Sequence, residues 1–136
     1  MVESKVGKMS RNIKGRNIRT LIKKILLARG YSIYLAPHTK YLPNDVFGAD
    51  LIAMKKDEII FVQTTADTNI KRKADELQKY PYPHYIKRQI WRHIGGRRRK
   101  LRENKWSKNQ YIYIYNEKGE KIDEIDLYDY KDVLRR

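Results

Sequence analysis

Residues 48–65, GADLIAMKKDEIIFVQTT, constrain the fold of this chain more than any other stretch. Two apolar runs, 51–54 (LIAM) and 59–62 (IIFV), flank the charged tetrad Lys55-Lys56-Asp57-Glu58. Short apolar runs rich in β-branched residues around a polar turn predict two buried strands joined as a hairpin. A turn centred between Lys56 and Asp57 sets Asp50 opposite Gln63, and opposed side chains on one sheet face lie about 5 Å apart. Thr65 points the same way as Gln63, two positions on. An acid, an amide and a hydroxyl are thereby expected on one face of a central hairpin. A carboxylate at the start of an apolar strand needs a donor, a cation or water, because burying it alone is costly. The plainer reading is that Asp50 caps the start of the strand and Gln63 satisfies a backbone group. The register decides how the residues face, since a slip of one residue turns every side chain over.

Around this hairpin the charge is uneven. The 136 residues carry 31 Lys+Arg against 16 Asp+Glu, a net charge of +15. Residues 1–29 hold nine basic side chains and one acidic, residues 30–85 balance at seven each, residues 86–108 hold ten and one, and residues 109–136 hold five and seven. Two basic blocks thus flank a neutral middle, which suits a groove for a polyanion: nucleic acid first, an anionic membrane surface second. No apolar run is long enough to span a bilayer and no signal peptide is visible, so an intracellular, cytoplasmic protein with no membrane partner is expected. The absence of cysteine excludes disulfides and thiolate metal sites.

One domain is expected over residues 1–136. Residues 1–10 read as a basic arm, 11–94 as the core, 95–108 as a basic loop and 109–136 as a hairpin and tail. In the core, Ile18, Leu21, Ile22, Ile25 and Leu26 recur at helical spacing, with Ser10 or Asn12 as cap and Gly30 as terminator. Lys14, Arg16, Arg19, Lys23 and Lys24 take the other face, as a solvated or a phosphate-contacting surface. Residues 31–36 (YSIYLA) predict a strand, and 37–47 a loop holding His38, Lys40 and Asp45. His38 reads either as a solvated side chain or as a ligand or proton carrier.

After the hairpin, residues 66–69 (ADTN) suit a helix cap, and residues 70–80 suit a helix with Ala74 and Leu77 inward. Lys71, Arg72 and Lys73 in its first turn oppose the helix dipole, which calls for an acid or a phosphate nearby. Residues 86–94 (IKRQIWRHI) predict a strand with Arg88 and Arg92 on one side. Residues 95–100 read as a flexible basic loop whose Arg97, Arg98, Arg99 and Lys100, followed by Trp106, suit phosphate contact. Residues 111–115 (YIYIY) and 121–127 predict a second hairpin, with Ile112 and Ile114 inward and a tyrosine stripe outward as a packing or dimer surface. A short C-terminal helix follows.

The order helix, strand, loop, Asp-led strand, turn, strand, helix, strand resembles the PD-(D/E)XK nuclease superfamily, and within it the archaeal Holliday-junction resolvases. The resemblance rests on residues 44–53 (NDVFGADLIA) and 61–65 (FVQTT) and covers about residues 11–94. It implies an α/β, restriction-endonuclease-like fold: a mixed central sheet flanked by helices, here with a C-terminal β-hairpin. It also implies a homodimer that binds nucleic acid, DNA rather than RNA, and cleaves phosphodiesters, branched DNA included, with Mg²⁺ or Mn²⁺. Asp50 and Gln63 match the carboxylate-or-amide positions, so both would be catalytic and metal-binding. Thr65 occupies the superfamily's lysine position, and residues 14–18 (KGRNI) lack the helix glutamate of the resolvases. Asp45 or Glu3 as a further acid, and Lys71 or Lys73 as the cation, are the replacements the resemblance implies. The alternative is a catalytically inactive relative that serves as a DNA- or RNA-binding module.

Overall fold

The computed structural model describes residues 16–37, 46–95, 99–102, 105–107 and 110–135. Helix α1 (Arg16–Ala28) leads into β1 (Ser32–Leu35), β2 (Leu51–Lys55) and β3 (Glu58–Thr65). Helix α2 (Ile70–Gln78) crosses to β4 (Lys87–Ile94), and a short pair, β5 (Arg99–Arg102) and β6 (Lys105–Ser107), follows. The chain finishes with β7 (Tyr111–Asn116), β8 (Lys121–Asp126), a 3₁₀ turn (Leu127–Tyr130) and α3 (Lys131–Leu134). Six strands form one mixed sheet in the order β1-β2-β3-β4-β7-β8, and only the β3–β4 pair is parallel. This is an α/β architecture in which the parallel pair requires the α2 crossover.

The central hairpin has the expected register, with Leu51 opposite Val62 and Lys55 opposite Glu58. Apolar side chains on both faces of β3 pin it, because a slip of one residue would exchange Ile60 and Val62 for Phe61 and Gln63. On one face of the sheet, Ile18, Ile22, Ile25 and Leu26 of α1 pack on Leu51, Ala53, Ile60, Val62, Trp91 and Ile112 in the main core. Burial of each large side chain contributes about 1.5–3 kcal/mol, so this stripe anchors α1. On the other face Ile70, Ala74 and Leu77 of α2 cover Ile90, with Tyr115 beside them. Adjacent residues Ile90 and Trp91 belong to different clusters, as strand alternation demands.

Local signals place the ends of the helices. Gly30 has φ 92°, and the amides of Gly30 and Tyr31 bond the carbonyls of Leu27 and Leu26, a Schellman closure. Asn69 caps α2 by accepting from the Arg72 amide at 3.2 Å. The caps expected at Ser10 or Asn12 lie outside the described residues.

Three expectations change. Arg99 and Lys100 belong to a strand paired with β6, not to a loop, because a local hairpin ties them down despite their charge. Arg19, expected on the polar face of α1, is 7% exposed, and its Nη1 donates to the Ala36 carbonyl at 3.4 Å. The adjoining Ile18 belongs to the core, so Arg19 sits at the rim of that contact, where its guanidinium meets the end of β1. The tyrosine stripe is divided: Tyr111 is buried, Tyr115 packs on the α2 cluster, and Tyr113 carries the Lys121 ammonium 3.8 Å from its ring centre. No helix among the described residues is long and apolar enough to cross a membrane.

Candidate functional site

Asp50 ends the bridge region that precedes β2, and its amide donates to the Val62 carbonyl at 2.8 Å. Backbone groups that face one neighbour recur every second residue, so Thr64 presents the next amide toward β2. The Asp50 side chain takes that place: Oδ2 accepts from Thr64 N at 2.7 Å and from Thr64 Oγ1 at 2.9 Å. The carboxylate therefore lies near the plane of the sheet, at the seam between its two faces. Burial pushes its pKa above the ordinary carboxylate range, and the Thr64 bonds and the Arg19 and Lys73 charges pull it back. Arg19 comes from α1 and Lys73 from α2, so both faces contribute charge at this seam.

Gln63 turns toward α2. Its Nε2 donates to Glu76 Oε2 at 3.0 Å, while its Oε1 is buried with no hydrogen-bond partner. Thr65 is also buried, and its Oγ1 accepts from the Asp67 amide at 2.9 Å. The acid, amide and hydroxyl expected to meet thus each take a different partner: Thr64, Glu76 and the turn before α2. Glu76, the partner of Gln63, is the side chain of this candidate site that sequence reasoning missed. Lys73, Glu76 and Tyr80 follow one helical line beside the inward stripe Ile70-Ala74-Leu77, and that spacing was its available signal.

The three basic residues at the start of α2 have different fates. Arg72 bridges Asp67 at 3.0 Å and approaches Glu76 at 4.0 Å, which supplies the nearby acids their placement calls for. Lys73 acts on Asp50, whereas Lys71 is exposed and absent from the groups that shift it. Asp45, His38, Lys40, Glu3, Arg97 and Arg98 lie outside the described residues, and for Arg16, Arg99 and Lys100 only the backbone is described.

The α2 side of β3 and β4 carries a second feature. Arg88 is in register with Phe61, Ile90 with Gln63 and Arg92 with Thr65. Ile90 faces α2, so Arg88 and Arg92 share its face on either side of it. The Nε atoms of both arginines are buried with no hydrogen-bond partner, as is Gln63 Oε1. Each unsatisfied buried group costs about 1–3 kcal/mol. Two donors and one acceptor on a single face are thus buried without a hydrogen-bond partner in the protein.

Asparagine at position 50 would keep an acceptor for both Thr64 donors and remove the charge that burial disfavours. Folding raises the pKa of this carboxyl, so the folded state holds its proton more tightly than the unfolded chain. Its contribution to stability is full below the ordinary carboxylate pKa and is lost as pH rises through the raised value. Asp50→Asn is therefore expected to unfold at higher urea than wild type at pH 7, the gap closing near pH 3. Equal midpoints at pH 7 would refute the burial penalty.

Comparison of the sequence with protein-family models gives no match, and comparison with curated proteins gives none, so function is read from the residues themselves.

Proposed function

We propose that the protein binds nucleic acid across the α2 side of β3 and β4 and cleaves its phosphodiester backbone with a divalent cation. The observation that carries this reading is the pair of half-buried arginines Arg88 and Arg92 on one face of β4, whose buried Nε atoms have no partner in the protein, beside the equally unpartnered Gln63 Oε1. Guanidinium groups suit phosphate oxygens, and a net charge of +15 supports association with a polyanion. The strand order β1-β2-β3-β4, with α2 crossing between a parallel pair, supports a restriction-endonuclease-like fold. DNA, branched forms included, is the substrate this reading names, and a homodimer is the assembly.

Among the described residues no three acidic or imidazole side chains come together, and the two donors this reading assigns, the Asp50 carboxylate and the Gln63 carbonyl oxygen, take separate partners in the free protein. Oxygen donors of this kind suit a hard cation. A buried amide oxygen without a donor is what Mg²⁺ or Mn²⁺ would satisfy, since both prefer oxygen ligands. When bound, such an ion supplies a Lewis acid and lowers the pKa of its water. The chain does the remaining work. Arg88 and Arg92 hold phosphates, Thr64 fixes the Asp50 carboxylate, and Lys73 supplies the positive charge that Thr65 does not. Glu76 orients Gln63 by accepting from its Nε2, which turns the carbonyl oxygen away.

A second reading, a binding module without cleavage, is favoured by Thr65, whose hydroxyl serves the turn before α2 in the lysine position. End-labelled single-stranded, duplex, flap and four-way-junction DNA, with RNA counterparts, separates the two. The expected result is retention in EDTA and strand cleavage in Mg²⁺ or Mn²⁺ that Asp50→Asn abolishes. Binding without cleavage at any metal concentration selects the second reading. No binding at low salt overturns both.

A further inference from the structure

Beside the Gln63–Glu76 pair lies a cavity of about 220 Å³ with walls of Phe47, Phe61, Tyr80 and Tyr82 and a rim of Pro81 and Pro83. Phe61 precedes Gln63 by two residues on one strand face, about 7 Å away. Tyr80 follows Glu76 by about one helical turn. The rings meet edge to face, Phe47 on Tyr80 at 5.8 Å and Phe61 on Tyr82 at 5.0 Å between centroids. The cavity walls are thereby aromatic on several sides. The Arg88 guanidinium lies 5.0 Å from the Tyr82 ring centre, so the cavity adjoins the basic face of β4.

One wall is held in a disfavoured backbone state. Val46 and Ala49 exchange both backbone hydrogen bonds around Phe47 and Gly48, whose φ values are 52° and 84°. Positive φ at both central positions makes a type I′ turn, whose preferred pair is Asn-Gly. Glycine at 48 is explained, because a Cβ there would come within 3.2 Å of Tyr80. Phenylalanine at 47 is strained there as a bulky residue, and its side chain stays 59% exposed despite the Tyr80 contact. The Tyr82 hydroxyl donates to the Phe47 carbonyl and braces the strained residue against the opposite wall. Strain kept at an exposed aromatic points to a bound partner.

Resting on the nucleic-acid reading above, we infer that this cavity takes one unstacked nucleobase of the bound strand. It would stack on Phe47 and Tyr82 while Arg88 holds an adjoining phosphate. A flat aromatic guest suits ring-lined walls, and the basic surface brings a polyanion to them. The substrate class is then a strand with an unpaired base, as at a single-stranded end, bulge or junction, and not uninterrupted duplex.

The test uses the full-length protein in EDTA, where nothing is cut, with short single strands carrying one 2-aminopurine. Wild type is expected to quench the fluorophore at one position and to bind a strand abasic there about tenfold more weakly. Phe47→Asn is the decisive variant, because it restores the preferred turn pair. It is expected to melt higher than wild type while losing the quench and about tenfold in affinity. Tyr82→Leu should lose the quench without the rise in melting temperature. A bound strand with no position-dependent quench, or Phe47→Asn binding like wild type, overturns the base pocket and leaves the phosphate surface standing. Failure of every strand to bind overturns both.

Discussion

Replacing Arg88 and Arg92 together by alanine is expected to weaken nucleic-acid binding by about 10²–10⁴-fold without lowering the melting temperature. A hydrogen bond to a charged group is worth about 1.5–3 kcal/mol, and 1.4 kcal/mol is tenfold in affinity, so two lost contacts reach that range. The stability half of the prediction comes from the same atoms. Both Nε donors are buried without a partner in the free protein, so truncation removes no hydrogen bond at Nε and relieves a desolvation cost that offsets the lost Arg88 contact with the Tyr82 ring. Salt titration provides a second readout. Each lost phosphate contact should reduce the slope of log K against log salt by about 0.7 on single strands and about 0.9 on duplex. A double variant that binds like wild type would remove the phosphate surface from β4. One that unfolds would show that the arginines are structural.

The largest stability effect is expected from Trp91→Ala. Trp91 is 2% exposed, the bulkiest of the fully buried side chains, and it lies in the main cluster beneath α1. Its Nε1 donates to Gln89 Oε1 at 2.9 Å, and the Arg29 guanidinium lies 6.0 Å from its ring centre. Truncating a buried tryptophan costs about 3–5 kcal/mol, against a total of about 5–15 kcal/mol for a domain. For a chain of this length that is a fall of roughly 10–20 °C in melting temperature. Trp91→Phe should recover part of it, because the ring volume is largely kept while the Gln89 bond is lost. A calorimetric melt of Trp91→Ala within about 2 °C of wild type would show that the core is centred elsewhere.

The same strand therefore carries the residue that most stabilises the fold and the two held at a cost to it. Trp91 faces the closed core, whereas Arg88 and Arg92 face the side that α2 covers only over Ile90. A single residue of register separates the core face of β4 from the face proposed to bind, which makes the two variants a matched pair. Exchanging their outcomes would require the strand to be turned over.

How much of this was legible beforehand follows the range of the interactions. The central hairpin, its register and the inward face of β7 were readable because period-two burial is a property of a few consecutive residues. The apolar stripe of α1, its closure at Gly30 and the Asn69 cap were readable for the same reason. The succession of elements from α1 to β4 also stood in the chain, whereas the parallel pairing of β3 with β4 across the α2 crossover came with the structure.

Contacts between elements were not readable. The rotation of α1 on the sheet buried Arg19, and the α2 crossover brought Glu76 to Gln63. Period two assigned Asp50 to the Gln63 face, but a carboxylate on a short side chain bonded the nearest open amide, that of Thr64. The left-handed backbone at Phe47 could not be foreseen, because residue type argues against it and only the Val46–Ala49 bridge imposes it. By itself the sequence determined which segments are strands and helices and which way most of them face, since local sterics and burial periodicity act within a few residues. Tertiary structure alone decided which polar atoms are satisfied and which stay open. That depends on partners far apart in the chain, and no local pattern encodes the distance between them.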